Sequence, residues 1–184
     1  MRERAIYLSP WRIDVTIRDG VGELPIRISR LGRAACAALD AAGAPAPASI
    51  GLILSDDAEL AELNRTHMGA EGPTDVLSFP LLPAAAFPPH EGAPSTSATS
   101  PAEAAFATPP GRRLNLGDIV ISVERAREQA DAGRGGQTGD VRLSAADELR
   151  LLVTHGILHV CGWDHADPAE EAAMRSLEQR LLSS

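Results

Sequence analysis

The sequence predicts an α+β fold in which a small mixed β-sheet packs with helices and a metal site lies on a long helix and the loop after it. Three observations carry this. Short apolar runs of strand length alternate along the chain with longer segments whose apolar residues recur at helical spacing. The helical segments open on Ser, Asp or Asp-Pro and close on Gly, the usual signals of helix starts and stops. The longest of them runs into His155-Gly156-Ile157-Leu158-His159-Val160-Cys161-Gly162-Trp163-Asp164-His165, which spaces three imidazoles by four and then six residues.

Taken in order, Trp11 to Arg18 alternates, with Ile13, Val15 and Ile17 opposed to Arg12, Asp14, Thr16 and Arg18, and predicts an edge or half-solvated strand. Ser29 is a candidate cap for a short amphipathic helix built on Leu31, Ala35, Ala38 and Leu39 and stopped by Gly43. Ala44-Pro45-Ala46-Pro47 is a spacer and Ile50 to Leu54 a strand; Ser55 or Asp56 then caps a helix through Leu60 and Leu63 that ends near Gly69. Val76-Leu77-Ser78-Phe79 is the next strand, stopped by Pro80 and Pro83. Residues 83–112 are rich in Ala, Pro, Ser and Thr, with Phe87 and Phe106 as the large apolar side chains. Such a segment has little to bury against the entropy of ordering it, which predicts a flexible insertion. Leu114 to Val123 reads as strand, Glu124 to Ala132 as helix and Gly133 to Gly139 as loop. Ser144 and Asp147 form a capping box for the helix that runs through Leu149, Leu152 and Val153 to Val160. Asp167-Pro168, with Glu170 completing a second box, starts a C-terminal helix whose apolar stripe is Met174, Leu177 and Leu181.

The 184 residues, 44% of them hydrophobic, are enough for one substantial core and predict a single domain over 1–184. The formal net charge is -8 and all 17 basic residues are arginine. That total does not advertise nucleic-acid binding, although it places no limit on a local groove. No apolar run approaches the roughly 20 residues that span a bilayer, and the N-terminus carries charges and Trp11 where a signal peptide has its apolar core. The expectation is a cytoplasmic protein with no membrane partner. Cys36 and Cys161 sit in apolar helical patterns, as buried thiols do, and predict no disulfide framework.

On a helix His155 and His159 lie one turn apart on the same face, and Gly162 lets the chain leave the helix and return His165 toward them. Neutral imidazole suits several transition metals; availability and the lack of a geometric preference favour one Zn2+ ion. Three protein ligands leave a fourth position. There zinc lowers the pKa of water from about 15.7 toward about 7 and polarises a phosphoryl or carbonyl oxygen, so hydrolysis leads the reading. A closed structural site would need a fourth ligand, for which Asp164 and Cys161 are the local residues. For Asp164 three readings stand: it orients a ligand imidazole, caps the loop, or binds the ion. The spacing is similar to that of metzincin proteases, yet the glutamate that follows their first histidine is here Gly156, which removes the peptidase base.

The histidine block, with Pro73-Thr74-Asp75-Val76-Leu77-Ser78-Phe79-Pro80 and Leu116-Gly117-Asp118-Ile119-Val120-Ile121-Ser122, resembles the YbeY family of zinc-dependent endoribonucleases, and the three blocks occur in the family's order. The resemblance implies single-strand-specific hydrolysis of RNA in ribosomal RNA processing and ribosome quality control. It implies His155, His159 and His165 as ligands of one zinc ion, and ribosomal RNA and the small ribosomal subunit as partners. It places the Thr74 to Pro80 strand along the cleft, where Thr74 and Ser78 either touch substrate or serve as an ordinary turn cap and strand hydroxyl. Asp75 and Asp118 read as turn or sheet-edge polar residues. Family members commonly carry a cleft arginine where alignment on Leu63-Asn64 and Pro73-Thr74 puts Met68, and methionine donates no charged hydrogen bond to phosphate. Arg65, about one helical turn earlier, is the candidate substitute, and Arg112 and Arg113 are candidates for a positive rim. Trp163 either stacks on a base or packs under the metal loop, with packing favoured. Two other readings remain: a zinc hydrolase of another substrate, and a ribosome-associated binding protein with a structural zinc.

Overall fold

The computed structural model describes residues 1–93, 113–133 and 142–183. Its strands are β1 (Arg2–Leu8), β2 (Trp11–Ile17), β3 (Ala48–Ser55), β4 (Val76–Pro80) and β5 (Leu114–Ser122); its helices are α1 (Ile28–Ala41), α2 (Asp57–Leu63), α3 (Val123–Ala132), α4 (Ala145–Val160) and α5 (Pro168–Leu182). The strands form one mixed sheet in the order β1-β2-β3-β5-β4, in which β2, β3 and β5 run parallel and β1 and β4 pair antiparallel at the two edges. The α+β expectation is met.

The alternation at Trp11–Ile17 does bury one face, with Trp11, Ile13, Val15 and Ile17 all inside. Strand β2 is not an edge, however. The edge is β1, which sequence reasoning passed over because Arg2-Glu3-Arg4 is charged; only Ile6 of this strand is partly buried, and the backbone ladder from Arg2–Ile17 to Leu8–Trp11 holds it. Charged side chains are how exposed edges avoid pairing with other chains, so the composition that hid the strand suits its position.

Along β2, β3 and β5 one face is continuous: Ile13, Ile50, Val15, Leu52, Ile119, Leu54 and Ile121 lie in register and form the main core with α1 and α4. The opposite face is covered at the β5-β4 end by α2, where Leu60, Leu77 and Val120 make a smaller cluster. Helix α4 is buried nearly all round, from Leu149 to Val160, and touches α1, α3, α5, β4 and β5. A helix apolar on every side belongs in the centre of the protein, so the histidines ride on the most constrained element.

Caps follow the sequence signals with two exceptions. Asp56 accepts from Glu59 N, Ser144 from Asp147 N, and Gly43, Gly69 and Gly133 end segments at positive φ. Helix α1 instead starts at Ile28 with Arg27 as an uncapped first residue; burial of Ile26 and packing of Ile28 set its entry, and Ser29 lies inside the first turn. Asp167 does cap α5, but Glu170 does not reach back to complete the box, because its side chain is buried elsewhere. Between α2 and Gly69, Asn64–Met68 is a π-helical turn, an irregularity that spacing did not reveal. Of the 83–112 insertion, residues 83–93 are described: Ala84–Ala86 form a 3-10 turn and Phe87 is buried in the main core. Arg112 and Phe106 lie outside the described residues.

Candidate metal centre

His155, buried at 6% exposure, and His159 project from the last two turns of α4. The helix then closes with Gly162 N donating to the His159 carbonyl and Trp163 N to the Leu158 carbonyl, while Gly162 adopts φ 87°. This is the paired 5→2 and 6→1 closure of a left-handed helix end, and it reverses the chain so that exposed His165 faces the other two. Ring centroids lie 4.5 Å apart for His155 and His159, 5.0 Å for His159 and His165, and 6.0 Å for His155 and His165. Three potential ligand nitrogens fall within 4.8 Å of one another.

The hydrogen bonds fix which nitrogens those are. His155 Nδ1 lies 2.8 Å from Glu178 Oε1, and His159 Nδ1 lies 2.9 Å from the Trp163 carbonyl oxygen. A carboxylate and a carbonyl only accept, so each Nδ1 carries the proton and each Nε2 presents a lone pair. Those two Nε2 atoms face each other at 3.0 Å. Two lone pairs converge this way around a cation. A tetrahedral zinc with Zn–N of about 2.0–2.1 Å sets its ligands about 3.4 Å apart, so the His155 and His159 rings need to part by only a few tenths of an ångström. The residues fit the ion, and Glu178 is the carboxylate partner that ligand histidines commonly have.

Burial, then repulsion from His155 and His165, pushes His159 down to about 4, which keeps it neutral and ready to ligate. Because the unfolded histidine binds its proton near 6.5, the metal-free protein binds fewer protons than the unfolded chain between about 6.5 and 4. Its stability should therefore fall as pH drops through that window. Urea unfolding at pH 7 and pH 5 should show a loss that is clearly smaller in His159→Asn; an equal loss in both proteins would contradict the assignment. Burial likewise pushes the Cys161 thiol up to about 12, and this core thiol stands outside the group of ligand atoms formed by His155, His159 and His165.

Packing of the same helix against the sheet explains why no side chain follows the first histidine. A Cβ on Gly156 would lie 3.1 Å from both Ile119 Cγ2 and Val76 Cγ2, and Ser78 Oγ donates to the Gly156 carbonyl at 3.0 Å. Strands β4 and β5 press on α4 at this point, beside the face that carries the imidazoles. Ser78 thus joins sheet to helix through its hydroxyl. Thr74 Oγ1 donates to Asp75 Oδ1, while Asp75 accepts from Val76 N and Gln129 Nε2, the turn role expected of it. Asp118 is exposed on the open face of β5.

Asp164 caps the loop: its Oδ1 accepts from His165 N at 2.7 Å. Orientation of the His155 and His159 rings falls to Glu178 and the Trp163 carbonyl. Trp163 packs on the core and lies under the His90 ring, centroids 4.0 Å apart and nearly parallel. Arg65 donates to both oxygens of Glu62 at 2.6 and 2.7 Å on the exposed face of the π-helical turn, and Met68 beside it is 52% exposed. Arg113 donates to the Pro10 carbonyl, which ties it to the β1–β2 turn. Sequence reasoning missed Glu178, used Glu170 only as a cap, and passed over His90. The available signal was an acid on an apolar stripe: Glu170, Met174, Leu177, Glu178 and Leu181 share one face of α5, and buried carboxylates require partners.

The sheet, the central helix and the converging imidazoles define an α+β protein with a group of three histidines placed so that it could hold a metal ion. Residues 22–184 match the family described as Endoribonuclease YbeY. Among its relatives the chain is 41% identical over 152 residues to Endoribonuclease YbeY of Salinispora tropica, covering 80% of each chain. It is 39% identical over 156 residues to that of Moorella thermoacetica, covering 85% of each, and 38% identical over 171 residues to that of Thermobifida fusca, covering 93% of this chain and 92% of the relative. A solution structure from Thermotoga maritima aligns over 92% of this chain and 87% of its own, at 22% identity and a TM-score of 0.48. The chain belongs to the Endoribonuclease YbeY family. Among the described residues no helix is long and apolar enough to cross a membrane.

Proposed function

We propose that this chain is a single-strand-specific endoribonuclease that hydrolyses phosphodiesters of ribosomal RNA in the cytoplasm, using one zinc ion held by His155, His159 and His165. The observation that carries the reading is the pair of Nε2 lone pairs converging at 3.0 Å, fixed by Nδ1 contacts to Glu178 and the Trp163 carbonyl, in a chain of the YbeY family. We place the activity in one domain over 1–184 with 83–112 as an insertion, and the small ribosomal subunit among its partners.

When bound, zinc would supply a Lewis acid for a non-bridging phosphate oxygen and hydroxide near neutral pH. The chain's own residues supply the rest. Glu178 and the Trp163 carbonyl hold the tautomer and aim of His155 and His159. Asp164 holds the backbone at His165 and acts on the site through that ligand. Arg65 is our candidate phosphate contact; to reach RNA its guanidinium exchanges Glu62 for a phosphate oxygen.

The test is cleavage of single-stranded and duplex RNA by the metal-free and zinc-loaded full chain, with an ester and amide panel alongside. The proposal expects zinc-dependent cutting of single strands. Hydrolysis of the panel without RNA cleavage would favour another hydrolase, and chelation that unfolds the chain with no catalytic effect of the ligand variants would favour a structural zinc. In the same assay Met68→Arg should lower KM for RNA about tenfold or more, the worth of one charged hydrogen bond. An unchanged KM would show that Arg65 already fills the role or that the contact does not limit turnover.

A further inference from the structure

Residues 83–93 cross the loop that carries the third histidine, and the two segments meet at close range. A Cβ on Gly162, at the helix end, would lie 2.9 Å from Ala84 Cβ, and one on Gly92 would lie 2.3 Å from Glu170 N at the start of α5. Phe87 is anchored in the core between these points. At the crossing sits His90, whose side chain is 12% exposed. Its ring stacks on Trp163 at 4.0 Å and 12°, and its Nε2 lies 2.7 Å from Glu170 Oε1. Glu170, 2% exposed, uses the same oxygen to accept from Asp164 N at 2.7 Å.

We propose that His90 is a positioning residue of the metal centre, reaching the third histidine through the loop that it clamps. The path runs from Nε2 to Glu170, which holds Asp164 N next to the His165 backbone, while the stack on Trp163 only seats the ring. The hydrogen bond is the operative contact. A buried carboxylate that loses one of its donors shifts to recover another, and Asp164, with His165 behind it, moves with it. A partner bonded directly to a ligand is worth about 10- to 100-fold in metal affinity, and His90, which acts through Glu170 and Asp164, is expected at the lower end of that range. Because 83–93 belong to an Ala- and Pro-rich stretch, composition gives no hint of the role.

The inference rests on the zinc site proposed above, so the unaltered protein is measured beside the variants. Zinc affinity of the full chain is read by competition with a chromophoric chelator, and thermal melting of the metal-free forms is followed in parallel. His90→Phe keeps the stack and loses the donor; His90→Gln keeps a donor and loses the stack. The expected result is an about 10-fold weaker affinity for His90→Phe, affinity within about threefold of the unaltered protein for His90→Gln, and metal-free forms of both that melt lower but stay fully folded at the titration temperature. Unchanged affinity in His90→Phe overturns the inference, as does a loss that only tracks unfolding in both variants. Absence of zinc uptake by the unaltered protein overturns the metal reading, and this inference with it.

Discussion

His159→Ala should leave a folded protein that takes up zinc at least about 100-fold more weakly and cleaves RNA about 10³-fold more slowly. Structural zinc sites with four ligands bind with about 10–16 kcal/mol, so one ligand accounts for about 3 kcal/mol, or two decades of affinity. The Lewis-acid contribution of several kcal/mol is lost with correct placement of the ion, which is the further factor in rate. The fold should survive because His159 is only partly buried, at the end of a helix whose core residues Val153, Ile157 and Leu158 are untouched. Circular dichroism checks the fold, chelator competition the affinity, and single-turnover cleavage the rate. Normal cleavage by a protein that no longer binds zinc would refute the account.

Gly156→Glu should not yield a stable fold, although it restores the sequence pattern of the metzincin proteases. The added side chain enters between Ile119 and Val76, both 3.1 Å from where its Cβ would stand, with the Gly156 carbonyl already held by Ser78. A carboxylate without a partner in that wall carries a penalty of several kcal/mol beyond the steric overlap. Total stability is about 5–15 kcal/mol for a domain, so expression should give aggregate, and Gly156→Ala, which needs only a few tenths of an ångström of give, should fold with a modestly lowered Tm. A soluble, well-folded Gly156→Glu protein with peptidase activity would mean that position 156 faces the imidazoles.

Where a signal lay in a single element, the sequence carried it. The α4 histidines, the turn at Gly162, the buried face of β2 and the caps at Asp56 and Ser144 depend on local spacing, and the structure has them. What spacing could not reveal was assembled across the chain. Glu178 meets His155 from 23 residues away and His90 meets Glu170 from 80, and neither separation leaves a periodic trace. Strand β1 was hidden because its hydrogen bonds come from the backbone, while its side chains suit an exposed edge. Ser78 was open between a substrate contact and an ordinary strand hydroxyl because strand alternation gives two faces without saying which one meets α4; its hydroxyl bonds to the Gly156 carbonyl. Asp164 was weighed as the partner of an imidazole because it adjoins His165, yet that service comes from Glu178 on the next helix and from the Trp163 carbonyl.

The most direct measurement is zinc titration of the metal-free full chain, with X-ray absorption at the zinc edge on the loaded protein and on His159→Ala. The account predicts one equivalent bound through three imidazole nitrogens at about 2.0–2.1 Å and disruption of that shell in the variant. A folded protein that takes up no stoichiometric zinc, or a shell the variant leaves intact, would contradict it.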